Sequence, residues 1–221
     1  MLILVLTGFL AAGAPSALEM ARDRQDRAAL EKMAADSLAA AAKAPNDAAA
    51  QYQAALSSSY LAEVLIEQRD KKAGQQAAER GIKAGEKAVA LKPEAENYRI
   101  LGTLYGQAIT DILSGLSYGP KAKEAVNKAV EKAPRSPSVY LARGVGNYYL
   151  PAPMGGVDQA VADFRKAIEL DPKNAEAYLW LGLGLRKQNK NTEARQAFTK
   201  SLELDPNRIW AKQQLDKTPA K

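Results

Sequence analysis

The strongest constraint in this sequence is a short tag that recurs at a fixed spacing. The segments AIELDP and SLELDP end at Pro172 and Pro206, which are 34 residues apart. The chain between them is rich in Ala, Leu, Lys and Glu and lacks the alternation of a strand, so it predicts helices. A 34-residue period predicts stacked helical hairpins, because one such hairpin cannot bury its own apolar face.

Small and large residues alternate within this period as two antiparallel helices require. If Ala175 is position 1, the small residues Gly182 and Ala194 fall at positions 8 and 20, where the helices would touch. Large residues fill the space on either side of that contact; they are Tyr178, Leu181, Leu185 and Phe198. The pattern resembles the tetratricopeptide repeat (TPR) and departs from it only at Ser201, where the motif has alanine. The resemblance implies an all-α, right-handed solenoid that binds other proteins.

Earlier prolines place the boundaries of the remaining units. Pro45, Pro93, Pro134, Pro172 and Pro206 each follow a helical pattern, at spacings that shorten towards the C-terminus. We therefore expect a signal peptide over 1–17, a leading helix over 18–45, hairpins over 46–93, 94–134, 135–172 and 173–206, and a capping helix with a frayed tail over 207–221.

Two hairpins are longer than the repeat. In 94–134 the excess falls in ITDILSGLSYGP, which we expect to be a longer first helix followed by a loop. In 135–172 it falls in LPAPMGGVD, where Gly155 and Gly156 permit a turn closed to other residues. We expect a structural loop there, with a binding role as the alternative. Asp158 is the expected N-cap of the following helix, although Gly156 or Val157 could shift the cap by a residue.

Two long segments resemble one branch of the family. AAERGIKAGEKAVALKPEAENYRILGTLYGQA and YYLPAPMGGVDQAVADFRKAIELDP are similar to exported bacterial TPR proteins, including the T component of TRAP transporters, and to regulators of microtubule dynamics. This resemblance implies an alternative function, in which the protein binds a small ligand or assists a transporter. The T component is a lipoprotein, whereas this chain has no cysteine to carry a lipid.

The first residues predict export. Residues 2–12 form an apolar run of the length of a secretory h-region, small residues follow it, and the first charged side chain is Glu19. The run is too short to span a bilayer comfortably. We therefore expect a periplasmic or secreted protein; the alternative is an apolar helix packed on the core.

Composition excludes most catalytic chemistry. The absence of cysteine and histidine excludes thiol nucleophiles, disulfides and imidazole or thiolate metal sites. We expect no enzyme, cofactor or metal; an enzyme would require a tight cluster of carboxylates. The net charge of +6 comes from basic residues interleaved with acids, which is typical of solvated helix faces and does not predict a nucleic-acid partner.

The resemblance also implies where a partner would bind. First helices of TPR hairpins line a concave groove through positions 2, 5, 9, 12 and 13, a mixture here of tyrosine, aliphatic and cationic residues that suits an extended peptide or a partner helix. The predicted groove residues are Tyr52, Leu56, Tyr60, Arg99, Thr103, Gln107, Leu141, Val145, Tyr148, Tyr149, Leu179, Leu183, Arg186 and Lys187. For each, ordinary packing or a solvated surface is the alternative. The small-ligand alternative would use a pocket or pore around Tyr148, Tyr149 and Arg99.

Arg143 stands at position 7, which normally points into the core. A buried guanidinium must find a carboxylate or several carbonyl groups. We expect a partner among Asp163, Asp111 and Glu124, and favour Asp163 on the facing helix. The alternative is that Arg143 extends to water.

Overall fold

Residues 15–220 are described by the computed structural model, and they form an all-α solenoid, as predicted. The α-helices of this part of the chain are α1 (Ala17–Asp23), α2 (Arg27–Lys43), α3 (Ala48–Glu67), α4 (Lys71–Leu91), α5 (Ala95–Gln107), α6 (Ile112–Lys132), α7 (Pro137–Tyr149), α8 (Gly156–Leu170), α9 (Ala175–Lys187), α10 (Asn191–Leu204) and α11 (Ile209–Asp216). A short 3₁₀ turn covers Ala152–Met154. None of the helices in this range is long and apolar enough to cross a membrane. Most of the predicted signal peptide, residues 1–14, lies outside the described residues.

Polar N-caps set where many of the helices begin. The side chains of Asp26, Asp47, Asp70 and Asn174 accept hydrogen bonds from backbone N–H groups of the first turn that follows them. Those N–H groups have no partner within the helix, so a short polar side chain at this position stabilises the start. The sequence therefore encodes each of these boundaries locally.

The leading segment is a helical hairpin, so the expected single helix over 18–45 is wrong. Gln25 adopts φ 51° between α1 and α2, just as Arg69 and Asn189 adopt positive φ within the turns of later hairpins. The backbone N–H of Asp26 donates to Ala21 O at 2.8 Å, and equivalent bonds close the other two turns. This is the Schellman arrangement, which satisfies the last carbonyl groups of a helix while reversing the chain. Five hairpins therefore precede α11.

The first helices of successive hairpins form one layer. Helix α1 packs on α3, α3 on α5, α5 on α7 and α7 on α9, while each second helix packs on the first helix of its own hairpin. The apolar core consists of an N-terminal part around Leu30, Leu65 and Leu104 and a C-terminal part around Phe164 and Phe198. Helix α11 follows the five hairpins, where the first helix of a sixth hairpin would begin.

The extra residues of the second predicted hairpin lie in its second helix. Helix α5 ends at Gln107, Asp111 caps α6, and α6 extends over 21 residues from Ile112. The expectation of a longer first helix is therefore wrong. Asp111 decides this, because its carboxylate accepts from Ser114 N at 2.8 Å and starts a new helix within the supposed loop.

The Gly-Gly stretch is a tight connection between α7 and α8. Gly155 and Gly156 have φ angles of 141° and 66°, a region that favours glycine. Gly155 is the N-cap of α8, so the expected cap at Asp158 is wrong. Asp158 instead accepts a hydrogen bond from Gln188 Nε2 at 2.6 Å, which ties this turn to the next hairpin.

Close contact within a hairpin occurs where the small residues predicted it. A Cβ atom on Gly182 would lie 2.6 Å from Cε1 of Phe198, and both Phe198 and Ala194 are fully buried. Absence of a side chain at position 8 thus makes room for the large residue at position 24. The C-terminal tail is also packed, which corrects the expected fraying: Thr218 is buried, and its carbonyl accepts from Arg195 Nη1 at 2.6 Å.

Candidate functional site

The two ends of the layer of first helices meet through Arg208, the N-cap residue of α11. Its Nη2 donates to Glu63 Oε1 at 2.7 Å, its Nη1 to Glu67 Oε2 at 3.1 Å and its Nε to Glu176 Oε2 at 3.1 Å. The side chain of Arg208 is 1% exposed. Residues from α3, α9 and the start of α11 therefore converge on one buried guanidinium.

A second arginine extends this group to α1. Arg22 Nε donates to Asp23 Oδ1 at 2.8 Å, and its guanidinium lies 5.0 Å from the centre of the Tyr60 ring. Asp23 Oδ1 is also 3.9 Å from Arg208 Nε. We call these residues the Arg208 cluster; its members are Arg22, Asp23, Glu63, Glu67, Glu176 and Arg208.

The Arg208 cluster holds more carboxylates than guanidiniums, which affects protonation. Burial raises the pKa of Glu63 to about 8, against the opposing attraction of Arg208 and Arg22. Burial likewise raises the pKa of Glu67. Burial acts in the same direction on Glu176, but the attraction of Arg208 and Arg22 outweighs it and lowers the pKa of Glu176. Glu63 is therefore the member that binds a proton most readily near neutral pH.

A second contact joins the same ends. Gln213 of α11 donates through Nε2 to Gln25 Oε1 at 3.3 Å, and Gln25 Nε2 donates to Glu67 Oε2 at 2.8 Å. Because Gln25 lies in the turn of the first hairpin, α11 contacts the N-terminal hairpin directly. The solenoid therefore closes on itself and does not leave an open trough along its whole length.

Five aromatic rings lie next to the Arg208 cluster, and we call them the aromatic cluster: Tyr148, Tyr149, Phe164, Trp180 and Trp210. Trp180 is at its centre, with ring centroids 5.7 Å from Tyr148, 6.1 Å from Phe164 and 5.4 Å from Trp210. Its Nε1 donates to Glu176 Oε1 at 3.1 Å. The two clusters are therefore joined through Glu176.

Tyr149 is the exposed member of the aromatic cluster. Its ring is edge-on to Tyr148 at 5.1 Å and to Trp180 at 6.3 Å, yet the residue is 65% exposed. Neighbouring groups still displace enough water to raise the pKa of its phenol to about 12. The ring is therefore exposed, while the groups around its hydroxyl favour the protonated phenol.

The predicted groove residues of α3 and α5 bond to one another. Tyr52 donates its hydroxyl proton to Glu96 Oε1 at 2.9 Å, Arg99 Nε donates to Glu96 Oε2 at 2.8 Å, and Thr103 donates to the Arg99 carbonyl at 3.0 Å. Burial, followed by the charge of Glu96, raises the pKa of Tyr52 to about 12. These residues are half-buried and face the same side.

Gln107 and Leu56 lie further along the same pair of helices. Gln107 Nε2 donates to the Ser59 carbonyl at 3.1 Å, which fixes the end of α5 against α3. Leu56 is partly buried against the N-terminal part of the core. Both therefore contribute to packing between the first helices.

The predicted groove residues of α7 and α9 are largely covered. Leu179 and Leu183 are buried in the C-terminal part of the core, so a partner could contact them only if neighbouring helices moved. Arg186 Nη2 donates to Gln214 Oε1 at 2.7 Å and is held against the C-terminal helix. Leu141 and Val145 pack, partly buried, against the same part of the core.

Lys187 is the exposed cation on this side of the molecule. Its ammonium group lies 4.6 Å from the centre of the Tyr148 ring and donates to the Tyr148 carbonyl at 2.7 Å. It therefore fixes the end of α7, including the backbone that presents Tyr149. Of the predicted residues, Tyr148, Tyr149 and Lys187 are brought together at one exposed place.

Arg143 pairs with Asp163, as predicted. Arg143 Nη2 donates to Asp163 Oδ1 at 2.6 Å, and Asn147 Nδ2 donates to Asp163 Oδ2 at 3.0 Å. The Asp163 side chain is buried, whereas that of Arg143 is partly exposed. The pair joins α7 to α8 next to the Gly-Gly connection, so it holds the scaffold beneath Tyr148 and Tyr149.

Sequence reasoning missed the residues that close the solenoid. Glu176 occupies position 2 of its hairpin, so the rule that selected the other groove residues would have found it. Trp180 occupies position 6, which that rule does not include. Glu63 and Glu67 carry no sequence signal, because their partner Arg208 lies more than a hundred residues away along the chain.

The Arg208 cluster is a compact group of carboxylates, which is the arrangement an enzyme would require. Each of its glutamates accepts a hydrogen bond from Arg208, whose own side chain has almost no contact with solvent. Such paired, enclosed charges are typical of a structural ion network. Among residues 15–220, no group of three or more acidic side chains is arranged to hold a metal ion.

Comparison with known families identifies the repeat. Residues 154–209 match the family model described as "Tetratricopeptide repeat". The chain is 36% identical over 95 residues to "Small glutamine-rich tetratricopeptide repeat-containing protein 2" of Mycosarcoma maydis, a match that covers 43% of this chain and 26% of that protein. It is 31% identical over 106 residues to "Superkiller complex protein 3" of Homo sapiens, covering 48% of this chain and 7% of that protein. The chain thus spans only a small part of these relatives.

Comparison with solved structures supports the same fold. The crystal structure of TTC0263, described as a thermophilic TPR protein in Thermus thermophilus, superposes with a TM-score of 0.62 at 21% identity. The match covers 90% of this chain and 99% of that one. The likeness therefore extends over nearly the whole array of hairpins, beyond the part that matches the family model.

Proposed function

The chain is a tetratricopeptide-repeat protein, and from this premise we propose that it is a non-enzymatic scaffold that binds a protein or peptide next to the aromatic cluster. TPR hairpins act by presenting a fixed surface, and here the layer of first helices supplies that surface. Arg208 joins the two ends of that surface, and its most exposed predicted residues are Tyr149 and Lys187.

Tyr149 carries this proposal. An aromatic ring that is 65% exposed, edge-on to two further rings and fixed at the end of a helix is a rigid apolar anchor. Tyrosine and tryptophan dominate protein interfaces because they bury a large area at a low cost in conformational entropy. Lys187, whose ammonium group lies 4.6 Å from the centre of the adjacent Tyr148 ring, adds a positive charge that can meet a carboxylate of the partner.

The expected partner is an extended peptide or a helix with an apolar side chain that packs on Tyr149. A partner of this shape fits because little of the neighbouring surface is free: Leu183 is buried in the C-terminal part of the core, and Arg186 is bound to the C-terminal helix. A second positive feature, Arg99, is already paired with Glu96. Recognition therefore centres on the aromatic side chains more than on buried charge.

We place this function in the cell envelope on the basis of the first residues. Residues 2–12 have the pattern of a secretory signal. Cleavage after Gly13 or Ala14 would leave Ser16, whose hydroxyl accepts from Glu19 N and caps α1. Fractionation of producing cells and N-terminal sequencing test this: a mature chain that begins near residue 14 or 15 in the exported fraction is expected, and an intact N-terminus in the cytosol would contradict it.

Affinity capture with paired variants tests the binding surface. Tyr149→Ala removes the ring, whereas Tyr149→Phe retains it, so a partner that packs on the ring should be captured by the wild type and by Tyr149→Phe. With Tyr149→Ala we expect the affinity for the purified partner to fall by at least about tenfold, as for an aromatic hot spot. Leu91→Ala, at an exposed position of α4, serves as a control distant in sequence.

Two outcomes would contradict the proposal. Equal capture of the partner by Tyr149→Ala and the wild type would exclude this surface. A co-purified small molecule, lost in Tyr149→Ala and accompanied by no protein, would favour the alternative of a small-ligand or transporter-accessory protein. The cavity of about 440 Å³ between α2, α3 and α4 does not supply that alternative site, because its lining includes neither Tyr148, Tyr149 nor Arg99.

A further inference from the structure

The start of α6 carries a ridge of exposed aliphatic side chains, which we call the α6 ridge: Ile112, Leu113 and Leu116. They are 82%, 79% and 73% exposed. Their placement results from the two additional turns of α6, which begin shortly after α5 has ended. Soluble proteins seldom expose several large aliphatic side chains side by side without a function.

The α6 ridge stands on a well-fixed element. The Asp111 and Ser114 side chains form a capping box, in which Ser114 N donates to Asp111 Oδ1 at 2.8 Å and Ser114 Oγ accepts from Asp111 N at 3.0 Å. Thr110 donates its hydroxyl proton to Gln75 Oε1 at 3.0 Å and ties this start to α4. Ile109, itself partly exposed, lies beside the backbone of Gly115. The exposure of the ridge is therefore a property of the folded protein.

Exposed lysines lie on both helices that meet at the start of the ridge, α4 and α6. Lys71 and Lys72 are exposed and lie one helical turn from Gln75, the residue bonded to Thr110. Lys121 and Lys123 are exposed and follow the ridge along α6. Together they add positive charge to the two helices that meet beside these aliphatic side chains.

The nearby acids have hydrogen-bond or ion-pair partners of their own. The Asp111 carboxylate caps α6, and Glu124 pairs with Lys128 at 2.6 Å. A third acid, Glu86, accepts the hydroxyl proton of Tyr105 at 2.7 Å. On α4, Asp70 pairs with Arg27 at 3.2 Å and Glu79 accepts from Gln75 Nε2 at 3.2 Å. Lys121 lies 5.7 Å from the centre of the Tyr105 ring, whereas Lys71, Lys72 and Lys123 form no ion pair among the described residues and can meet an external anion.

We propose that the α6 ridge binds the surface of an anionic lipid bilayer, independently of the partner site at Tyr149. Aliphatic side chains that project from the first turns of a helix can enter the boundary between headgroups and acyl chains, and flanking lysines then contact lipid phosphates. A protein partner is less well matched, because protein hot spots are enriched in Trp, Tyr and Arg, whereas leucine is under-represented among them and the ridge is purely aliphatic. The aliphatic side chains fit the boundary of the acyl chains, and the lysines fit the phosphate groups above it.

Vesicle sedimentation with the full chain tests this binding. Vesicles of phosphatidylcholine containing phosphatidylglycerol are compared with vesicles of phosphatidylcholine alone. The ridge variant Leu113→Ser/Leu116→Ser is matched by Met20→Ser/Leu91→Ser, which also removes two exposed aliphatic side chains, 39% and 40% exposed, at other sites. Thermal unfolding by circular dichroism verifies that both variants fold.

We expect the wild type and the matched control to partition equally onto anionic vesicles and less onto neutral ones. The ridge variant should lose at least about tenfold in partition coefficient, because two leucines no longer transfer out of water. Equal partitioning of the ridge variant and the control would overturn the proposal. Residues 1–14 are common to all three chains, so their contribution cancels in this comparison.

A fluorescent reporter provides a second readout. The chain has no cysteine, so Leu116→Cys can be labelled at a single position with an environment-sensitive dye, and Leu91→Cys gives the control. Anionic vesicles should shift the emission of the dye at position 116 to the blue and leave that at position 91 unchanged. Self-association is the competing outcome. In that case the emission of the dye at position 116 would change with protein concentration in the absence of vesicles, and light scattering would show a dimer that the ridge variant does not form. Both results together would overturn the proposal.

Discussion

Arg208 Nη2 donates to Glu63 Oε1 at 2.7 Å, although 145 positions of sequence separate the two residues. Glu63 belongs to α3 and Arg208 caps α11, so this bond joins the first full-length hairpin to the last helix. It changes the interpretation of the molecule: the two ends of the layer of first helices are joined, and Tyr149 and Lys187 are the most exposed of the predicted groove residues. The ion cluster is therefore a structural element.

Removal of the central cation should destabilise the closed form. Arg208→Met leaves Glu67 without a guanidinium partner and Glu176 with the attraction of Arg22 alone, and we expect the free energy of unfolding to fall by about 3–5 kcal/mol. Urea unfolding followed by circular dichroism measures this. Lys212→Met, at an exposed position of the same helix, is the control and should change stability by less than about 0.5 kcal/mol. A midpoint for Arg208→Met that equals the control would mean that the cluster does not hold α11.

Stability should depend on pH through Glu63. Burial raises the pKa of this carboxyl from the usual 4.5 to about 8, so between these values the folded protein retains a proton that the unfolded chain releases. The free energy of unfolding should therefore fall as the pH rises through this window, by at most about 1.4 kcal/mol per pH unit. The raised pKa of Glu67 acts in the same direction.

Glu63→Gln isolates this contribution. Glutamine cannot ionise, so the decline in stability between about pH 5 and pH 8 should become shallower, whereas Glu131→Gln, at an exposed position of α6, should leave it unchanged. Urea midpoints measured across the pH range give the comparison. An unaltered profile in Glu63→Gln would show that another group binds the proton.

The Arg143–Asp163 pair should be needed for stability because one partner is buried. Arg143→Leu leaves the Asp163 carboxylate with Asn147 as its remaining hydrogen-bond donor, and we expect a loss of about 2–3 kcal/mol. Lys166→Leu removes one partner of an exposed pair on the same helix as Asp163 and should cost less than about 1 kcal/mol. Arg143→Leu/Asp163→Leu should recover part of the loss, and an equal or greater loss in this double variant would contradict the explanation.

Substitution of alanine for each of two glycines of α7 should change the stability of the protein in opposite directions. A Cβ atom on Gly144 would lie 2.6 Å from Cε1 of Phe164, whereas nothing lies within 4 Å of one on Gly146. We expect Gly144→Ala to destabilise the protein by about 1–3 kcal/mol through overpacking. Gly146→Ala should stabilise it by about 0.5–1 kcal/mol through helix propensity. Thermal and urea unfolding of the two variants provide the test, and shifts of the same sign would contradict the packing explanation.

Local signals made much of the fold predictable. The cap at Asp70, the small residue Gly182 and the large residue Phe198 each act within one hairpin, so their consequences follow from spacing along the chain. The Arg143–Asp163 pair was predictable for the same reason, since its partners lie 20 positions apart on facing helices. The first hairpin escaped prediction because α1 has only seven residues and its turn at Gln25 contains no glycine or proline.

The candidate site was only partly predictable. Position rules for a repeat selected Tyr148, Tyr149 and Lys187, which the structure brings together, and also Leu179 and Leu183, which it buries. The rules describe contacts between neighbouring hairpins. They contain no information on contacts between α11 and the first hairpins. Burial of Leu179 and Leu183 among neighbouring helices is therefore outside their scope.

By itself the sequence determined the repeat: which residues form helices, which small positions admit a neighbouring ring, and that the hairpins must stack. Those outcomes depend on interactions within about 40 residues, and the periodic pattern records them directly. Only the tertiary structure decided that the array closes through Arg208, that Tyr149 remains exposed beside the closure, and that the α6 ridge is uncovered. The physical reason is that small rotations between successive hairpins add up along the solenoid, so which distant side chains meet depends on the whole array and on no single segment of it.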